Sequence, residues 1–329
     1  MFKYRFTCMD NLTEHNSPLL SLCIPTYNRA EILAQCLEKH IEAIGDERDI
    51  EIVISDNAST DSTREVVADF IDRHRDIRIV YHRNEENIRD KNFFEVFRHA
   101  RGRYLKLLND YTYYGAKGMR IMIDGVRRYP DEETPLFFYM KLRKEPTYCV
   151  AGVDEFVRSV NNKLTWISNF GIWRSRVGEL ADTLDRSGSQ LLQCYWTLSM
   201  VERHPARLVD IRDVHLLPVP GSKRVPYNFF VPHVANYYTL LSSYGLSAKT
   251  LRYDKTVLLW SFVGKKAVDY LILKKECPFE LEGSWKILWR HFKGIPYFYM
   301  FIPVTLVRDA IKGLRDLGRI IRGLSLIHI

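Results

Sequence analysis

The chain has no C-x-x-C pair, and its six cysteines (Cys8, Cys23, Cys36, Cys149, Cys194, Cys277) follow no regular spacing. That pattern argues against a zinc site and against a disulfide framework, and it fits a reducing cytoplasm. Residues 1–17 hold no continuous apolar stretch, so no secretory signal is read there. The longest apolar run, Ile295 to Val307, is shorter than the ~20 residues a membrane span requires and carries Pro296 and Pro303. Internal repeats and low-complexity segments are absent as well. Net positive charge is scarce outside one segment. Between Gly283 and Gly323, eight basic residues (Lys286, Arg290, Lys293, Arg308, Lys312, Arg315, Arg319, Arg322) face two acids (Asp309, Asp316), giving +6 of the net +8. A nucleic-acid-binding protein would interleave charge with aromatics on a folded face. Here the charge sits on one tail, so nucleic acid is not an expected partner.

What is present is a repeated strand–turn–helix pattern. The apolar run Leu19 to Ile24 ends in Pro25-Thr26-Tyr27-Asn28-Arg29, and Ile50 to Ser55 ends in Asp56-Asn57-Ala58-Ser59-Thr60-Asp61. Each polar turn is followed by a helical pattern, so the two form a βαβ unit with parallel strands. In such sheets ligands bind outside the carboxyl ends of the strands, where Thr26, Asn28, Arg29 and Asp56 project. Glu31 to Ile44 reads as an amphipathic helix with Leu33, Cys36, Leu37 and Ile41 on one face. Ser62-Thr63-Arg64-Glu65 reads as a capping box opening the next helix. A third strand (Ile77 to Tyr81), a helix (Asn92 to His99) and a fourth strand (Tyr104 to Leu108) follow. This alternation predicts the α/β class with a doubly wound, mostly parallel sheet.

Beyond Pro135 the pattern predicts a strand over Leu136 to Met140, a strand–turn segment over Leu164 to Arg174 and a helix over Gln190 to Arg203. Val219-Pro220-Gly221 reads as a linker to an aromatic-rich helical part. The expected organisation is a leader (1–17), an α/β domain (18–215) and a helical extension (216–323). The last six residues, Leu324 to Ile329, are what the transposon end used in sequencing-library preparation encodes in frame. The natural chain is expected to continue differently after Gly323.

The stretches "SLCIPTYNRAEIL" and "EIVISDNASTDST" together resemble the opening of family 2 glycosyltransferases, the GT-A nucleotide-sugar enzymes that build bacterial surface polysaccharides. The resemblance continues through Asn84 to Asn92 and Ala100 to Asp110 and fades past about residue 200. It implies a GT-A fold, a nucleoside-diphosphate-sugar donor and a glycan or lipid-linked acceptor. Glycosyl transfer needs the nucleotide held, the leaving diphosphate neutralised and, for inversion, a base for the acceptor hydroxyl. By resemblance Asp56 is a hydrogen-bond acceptor for nucleobase or ribose; its structural alternative is a turn carboxylate capping the next helix, a role Ser62 is expected to fill. Asp61, directly before that cap, reads as structural. Pro25 shapes the turn, and Thr26, Tyr27 and Arg29 border the crevice, Arg29 pairing with phosphate or with Glu31. Arg89, Lys91 and Asn92 lie ahead of a helix N-terminus, where cations and free N–H groups suit a diphosphate; a solvated charged turn is the alternative.

Asn109-Asp110-Tyr111-Thr112 stands where the family carries a D-x-D motif that holds Mg²⁺ or Mn²⁺. With Asp110 alone remaining, a metal would be weakly held. The family's acid pair is missing from Ser187 to Trp196, where Gln190 or Gln193 would stand instead, so Asp185 is the candidate base. Trp166, Phe170 and Trp173 could offer a sugar platform, Trp166 and Trp173 being the acceptor-side candidates, or simply pack in the core. The basic residues from Arg308 to Arg322 step by four and three opposite Leu306, Val307, Ala310, Ile311, Leu314, Leu317 and Ile321. Such a helix lies in an anionic membrane interface. The expected location is therefore cytoplasmic and peripheral on the inner face of the cell membrane, with residues 283–323 as the contact. A competing reading from the altered D-x-D and the missing acids is a catalytically impaired relative that binds nucleotide sugar or serves assembly.

Overall fold

A computed structural model of the chain describes residues 17–130, 132–139, 147–203, 209–214, 216–220 and 227–325. Strands β1 (Leu20–Thr26), β2 (Ile50–Asp56), β3 (Arg78–Arg83) and β4 (Tyr104–Leu107) alternate with helices α1 (Ala30–Ile44), α2 (Thr63–Arg73) and α3 (Asn92–Arg98). They are followed by β5 (Thr112–Tyr114), α4 (Ala116–Arg127), β6 (Leu136–Tyr139), β7 (Thr147–Val150), α5 (Gly152–Val160), β8 (Gly171–Trp173) and α6 (Leu192–Arg203). The main sheet has the order β3-β2-β1-β4-β8, with β1 to β4 parallel and β8 antiparallel to β4. The doubly wound α/β architecture is the one the strand–helix alternation predicts.

Alternation along the strands sends neighbouring side chains to opposite faces. Leu22 and Ile24 of β1 and Ile52 and Ile54 of β2 pack with Leu33 and Leu37 of α1, Phe70 of α2 and Met119 and Met122 of α4. Cys23 and Val53 point the other way, into a core with Phe94 and Phe97 of α3 and Trp196 of α6. At the opposite end of the sheet from the crevice, buried Glu51 accepts hydrogen bonds from Ser21 Oγ (2.6 Å), Arg101 N (2.6 Å), Gly102 N (3.1 Å) and Arg78 Nε (2.8 Å). This clamp fixes the α3–β4 turn against β1 and thereby sets where β4 ends.

A second sheet has the order β6-β9-β7, with β9 (Val209–Asp213) between its partners, and β10 (Leu216–Pro218) pairs antiparallel with β5. The expected domain limit at residue 215 is thus displaced: β10 belongs to the α/β part because its backbone completes a ladder with β5. Leu164 to Arg174 also differs from the expected strand–turn. Two 3₁₀ turns, Asn161–Thr165 and Ile167–Asn169, precede the short β8. Buried Lys106 of β4 explains this, since its Nζ donates to the carbonyls of Ser168 (2.5 Å) and Phe170 (2.9 Å), and Tyr114 OH also donates to Ser168 O (2.7 Å). The segment is thus held through side chains of β4 and β5 as well as by backbone, Phe170 O also accepting from Leu107 N (3.2 Å).

The extension contains α7 (Tyr237–Ser242) and α8 (Ala248–Leu258), and the helical run continues through π-helical turns on either side of α9 (Gly264–Lys266). It ends with α10 (Ser284–Phe292) and α11 (Phe301–Ser325). Tyr237, Leu258, Leu288, Phe292 and Phe301 join the same core as Phe97, Phe170 and Trp196. Along α11 apolar side chains stand in solvent: Val307 is 58% exposed and Leu314 70%. No helix among the described residues is long and apolar enough to cross a membrane. The expected leader, apart from Ser17, and residues Leu326 to Ile329 lie outside the described residues, as does Gly221 of the expected linker.

Candidate functional site

The carboxyl ends of β2, β1 and β4 lie side by side, and the strand order reverses direction between β1 and β4. An open parallel sheet leaves a ligand crevice at such a switch point. Asn28 and Ala58, in the loops after β1 and β2, have φ of 51° and 62°, turn conformations that Asn tolerates better than most residues. Asn28 N donates to Ser59 Oγ (2.9 Å), and Asn28 Oδ1 accepts from Thr60 N (2.7 Å). The two loops are fastened to each other before any ligand arrives.

Asp110, from the end of β4, forms the centre. Its Oδ2 accepts from Thr26 Oγ1 (2.9 Å) and its Oδ1 from the Arg29 guanidinium (2.9 Å), so β1 and β4 are bonded across the switch point. Burial raises the Asp110 pKa, while Arg29 and then the Thr26 hydrogen bond pull it back down. The Arg29 guanidinium lies 5.2 Å from the Tyr111 ring centroid, a cation–π arrangement. The carboxylate partner of Arg29 is therefore Asp110 rather than Glu31. Pro25 is half-buried at the end of β1, and Tyr27 is exposed beside the crevice.

One strand away, Asp56 is fully buried. Its Oδ1 accepts from Ser59 N (2.8 Å) and its Oδ2 from Tyr81 OH (2.7 Å), with Arg83 Nε at 3.7 Å. Burial and the Asp56 carboxylate push the Tyr81 pKa up. Asp56 thus closes the turn after β2, and its oxygens keep further lone pairs for a donor group. The expected cap on α2 is reassigned: Ser62 makes no side-chain cap bond. Asp61 does the work instead, accepting from Thr63 N (3.1 Å) and, across the loop, from Ala30 N (2.9 Å).

An asparagine network supports the third wall. Asn84 Nδ2 donates to Asn57 Oδ1 (3.1 Å) and Asn92 Oδ1 (2.9 Å), and Asn92 Nδ2 donates to Ser55 O (2.8 Å). Asn57 also receives Ile88 N (2.9 Å) and donates to Arg89 O (3.3 Å). The turn carrying exposed Arg89 and Lys91 is held against β2 by these bonds. Asn92 is buried beneath that turn with its amide engaged inside the protein, which makes it a positioning residue.

The acceptor-side residues separate. Trp166 is half-buried, but Trp173 is fully buried, edge-on to Tyr104 (centroids 5.0 Å apart), and its indole N–H donates to Thr134 O (2.8 Å). A core tryptophan has no face to offer, so Trp173 leaves the acceptor set; Phe170 is buried likewise. Asp185 is 71% exposed and lies 3.7 Å from Arg186. Gln193 is buried with Nε2 donating to Thr165 O (3.0 Å), so the start of α6 presents an amide, not an acid. Sequence reasoning missed Asp90. Both its oxygens accept from Gly188 N at 3.0 Å, binding the 187–190 loop to the Arg89–Lys91 turn, and burial raises its pKa. The available signal was an acid set between two cations, Arg89-Asp90-Lys91.

The donor set around Asp110 does not fit a metal held by the protein alone. One carboxylate is present, both its oxygens are engaged, Thr112 Oγ1 is shared with Ser168 Oγ (3.3 Å), and Asn109 offers a neutral amide where a second acid would stand. Arg29 is the cation that stands beside Asp110.

Comparison with known proteins gives a coherent picture. Residues 21–114 match the family model described as "Glycosyl transferase family 2". Abequosyltransferase RfbV of Salmonella typhimurium is 44% identical over 87 residues, covering 26% of this chain and 26% of that protein. Validoxylamine A glucosyltransferase of Streptomyces hygroscopicus subsp. jinggangensis is 46% identical over 67 residues, 20% of this chain and 16% of that protein. The matches thus span about a quarter or less of those relatives' own lengths. Among solved structures, S. aureus TarS 1–349 in complex with UDP-GlcNAc aligns with a TM-score of 0.53 at 14% identity, over 87% of this chain and 88% of that one. At that identity the likeness is one of fold.

Proposed function

We propose, from the premise that residues 21–114 form a family 2 glycosyltransferase domain, that this chain transfers a sugar from a nucleoside diphosphate sugar to a hydroxyl of a glycan acceptor, with inversion. The observation that carries the reading is the convergence of Thr26 and Arg29 on Asp110 at the switch point, with Asp56 one strand away. In this reading Asp56 accepts from the nucleobase or ribose. Arg29, with Arg89 and Lys91 on the facing turn, neutralises the leaving diphosphate, a cationic role that a metal plays elsewhere. Mg²⁺ or Mn²⁺ would be at most an addition carried by the diphosphate and Asp110.

The base that takes the acceptor proton is assigned to Asp90 in preference to Asp185. Asp90 is half-buried with a raised pKa, as a general base near neutral pH needs, whereas Asp185 stands in solvent. The acceptor is proposed to be lipid-linked and met at an anionic membrane surface. Exposed Trp285, Trp289, Tyr297, Tyr299 and Met300 border the equally exposed apolar side chains of α11, with Lys286, Arg290, Lys293, Arg308 and Lys312 around them. Aromatic and aliphatic side chains rimmed by cations fit that interface.

A second reading is a nucleotide-sugar-binding relative without turnover, and the amide of Gln193 at the start of α6 favours it. Incubation with UDP-, GDP-, CDP- and dTDP-sugars separates the two. Release of nucleoside diphosphate from one of them, lowered at least ~100-fold in Arg29→Ala, is the expected result. Asp90→Asn should lower turnover while leaving the donor KM close to unchanged. No release from any donor would move the assignment to the second reading.

A further inference from the structure

Away from the crevice, on the outer side of edge strand β3, three side chains converge that the glycosyl-transfer reading does not use. His82 projects from β3, and Glu95 and His99 project one helical turn apart from α3 and its C-terminal end. Their ligand atoms all lie within 4.8 Å of one another. Glu95 Oε1 is 3.1 Å from His99 Nε2 and 3.9 Å from His82 Nε2. We propose that His82, Glu95 and His99 form a binding site for a divalent transition-metal ion of the zinc type, separate from the crevice around Asp110.

The distances suit the ion. Zinc holds imidazole nitrogen and carboxylate oxygen at ~2.0–2.2 Å in a tetrahedron, which puts neighbouring ligand atoms ~3.4 Å apart. The two histidine-to-glutamate separations bracket that value. Access suits it too: the side chains of His82, His99 and Glu95 are 34%, 32% and 18% exposed, leaving room for water as a fourth ligand. Arg98 Nη1 donates to both carboxylate oxygens of Glu95, Oε2 at 3.0 Å and Oε1 at 3.2 Å, which fixes the carboxylate beside the two rings and supplies an outer hydrogen bond of the kind that supports metal-binding carboxylates. The rings stack at 3.9 Å between centroids, and binding splays them about the shared oxygen. An ion there pins α3 to β3.

Tag-free full-length chain should bind one Zn²⁺ in a calorimetric titration, raise its Tm on addition of ZnCl₂, and give the visible absorption of a tetrahedral nitrogen–oxygen site with Co²⁺. His82→Ala and His99→Ala should each weaken Zn²⁺ binding at least ~10-fold, and the double variant His82→Gln with His99→Gln should abolish the Co²⁺ spectrum while keeping its far-ultraviolet circular dichroism. Asp110→Ala should bind Zn²⁺ like the unaltered chain. Silence of the unaltered chain at micromolar Zn²⁺, equal binding by the double variant, or loss of binding in Asp110→Ala would each overturn the assignment.

Discussion

Thr26 and Arg29 each lie more than eighty residues from Asp110 in the chain, yet hydrogen bonds of 2.9 Å join both to it. Their meeting depends on how β4 lies against β1, and the turn that leads into β4 passes close to β1 at Gly102. A Cβ on Gly102 would fall 2.5 Å from Ser21 Oγ and 2.7 Å from Ser21 N, inside the clamp made by Glu51. Gly102→Ala should therefore destabilise the chain by ~1–3 kcal/mol, the cost of overpacking a filled site, read as a lower urea midpoint with an unchanged m-value. An unchanged midpoint would mean that the clamp yields. At this scale the sequence is legible where chemistry is local. Asp56 and Asp110 could be placed at strand ends from the apolar runs before them. Asp61 could not be preferred to Ser62 as the cap, because its second partner, Ala30 N, comes from another loop. Lys106 gave no warning either: a lysine inside an apolar strand finds its two carbonyl partners more than sixty residues downstream.

Among the elements, the parallel strands and their helices follow from period and turn chemistry, whereas the 161–173 segment does not, because Lys106 and Tyr114 capture its carbonyls. The amphipathic pattern of the tail was legible, and the structure leaves its apolar side chains from Val304 to Leu314 uncovered. The exposed pair Trp285 and Trp289, one turn apart on α10, extends that surface. Substituting both by Ala should weaken binding to anionic liposomes at least ~10-fold, measured by flotation; unchanged flotation would contradict a membrane contact there. A different element carries a pH response. Asp254 of α8 is buried between Tyr237 OH (3.1 Å) and Tyr238 OH (3.0 Å). Burial lifts its pKa from 3.8 to about 7, opposed by the tyrosine hydrogen bonds and Lys255. The folded state binds this proton more tightly than the unfolded chain. The associated stability is fully present below about pH 4 and is lost as pH rises to about 7. Asp254→Asn should remove that slope and raise the Tm at pH 8; a slope that survives the substitution would assign it to another group.

For the molecule as a whole, a domain limit at residue 215 was the natural reading of a Pro-Gly break, but one continuous core runs from Phe97 and Trp196 through Tyr237 and Leu258 to Phe298 and Phe301. Long-range burial of this kind leaves no local mark beyond a wealth of aromatics. The helical part is therefore a buttress of the main sheet as well as the carrier of the exposed aromatic surface. The central claim is that this sheet holds a nucleoside diphosphate sugar at the ends of β1, β2 and β4. Calorimetric titration of the full chain with UDP, GDP, CDP and dTDP, with and without Mn²⁺, tests it most directly. Binding of one nucleotide, abolished in Asp56→Ala and weakened in Arg29→Ala, is the predicted result. Silence from all four, or binding that Asp56→Ala leaves untouched, would contradict it.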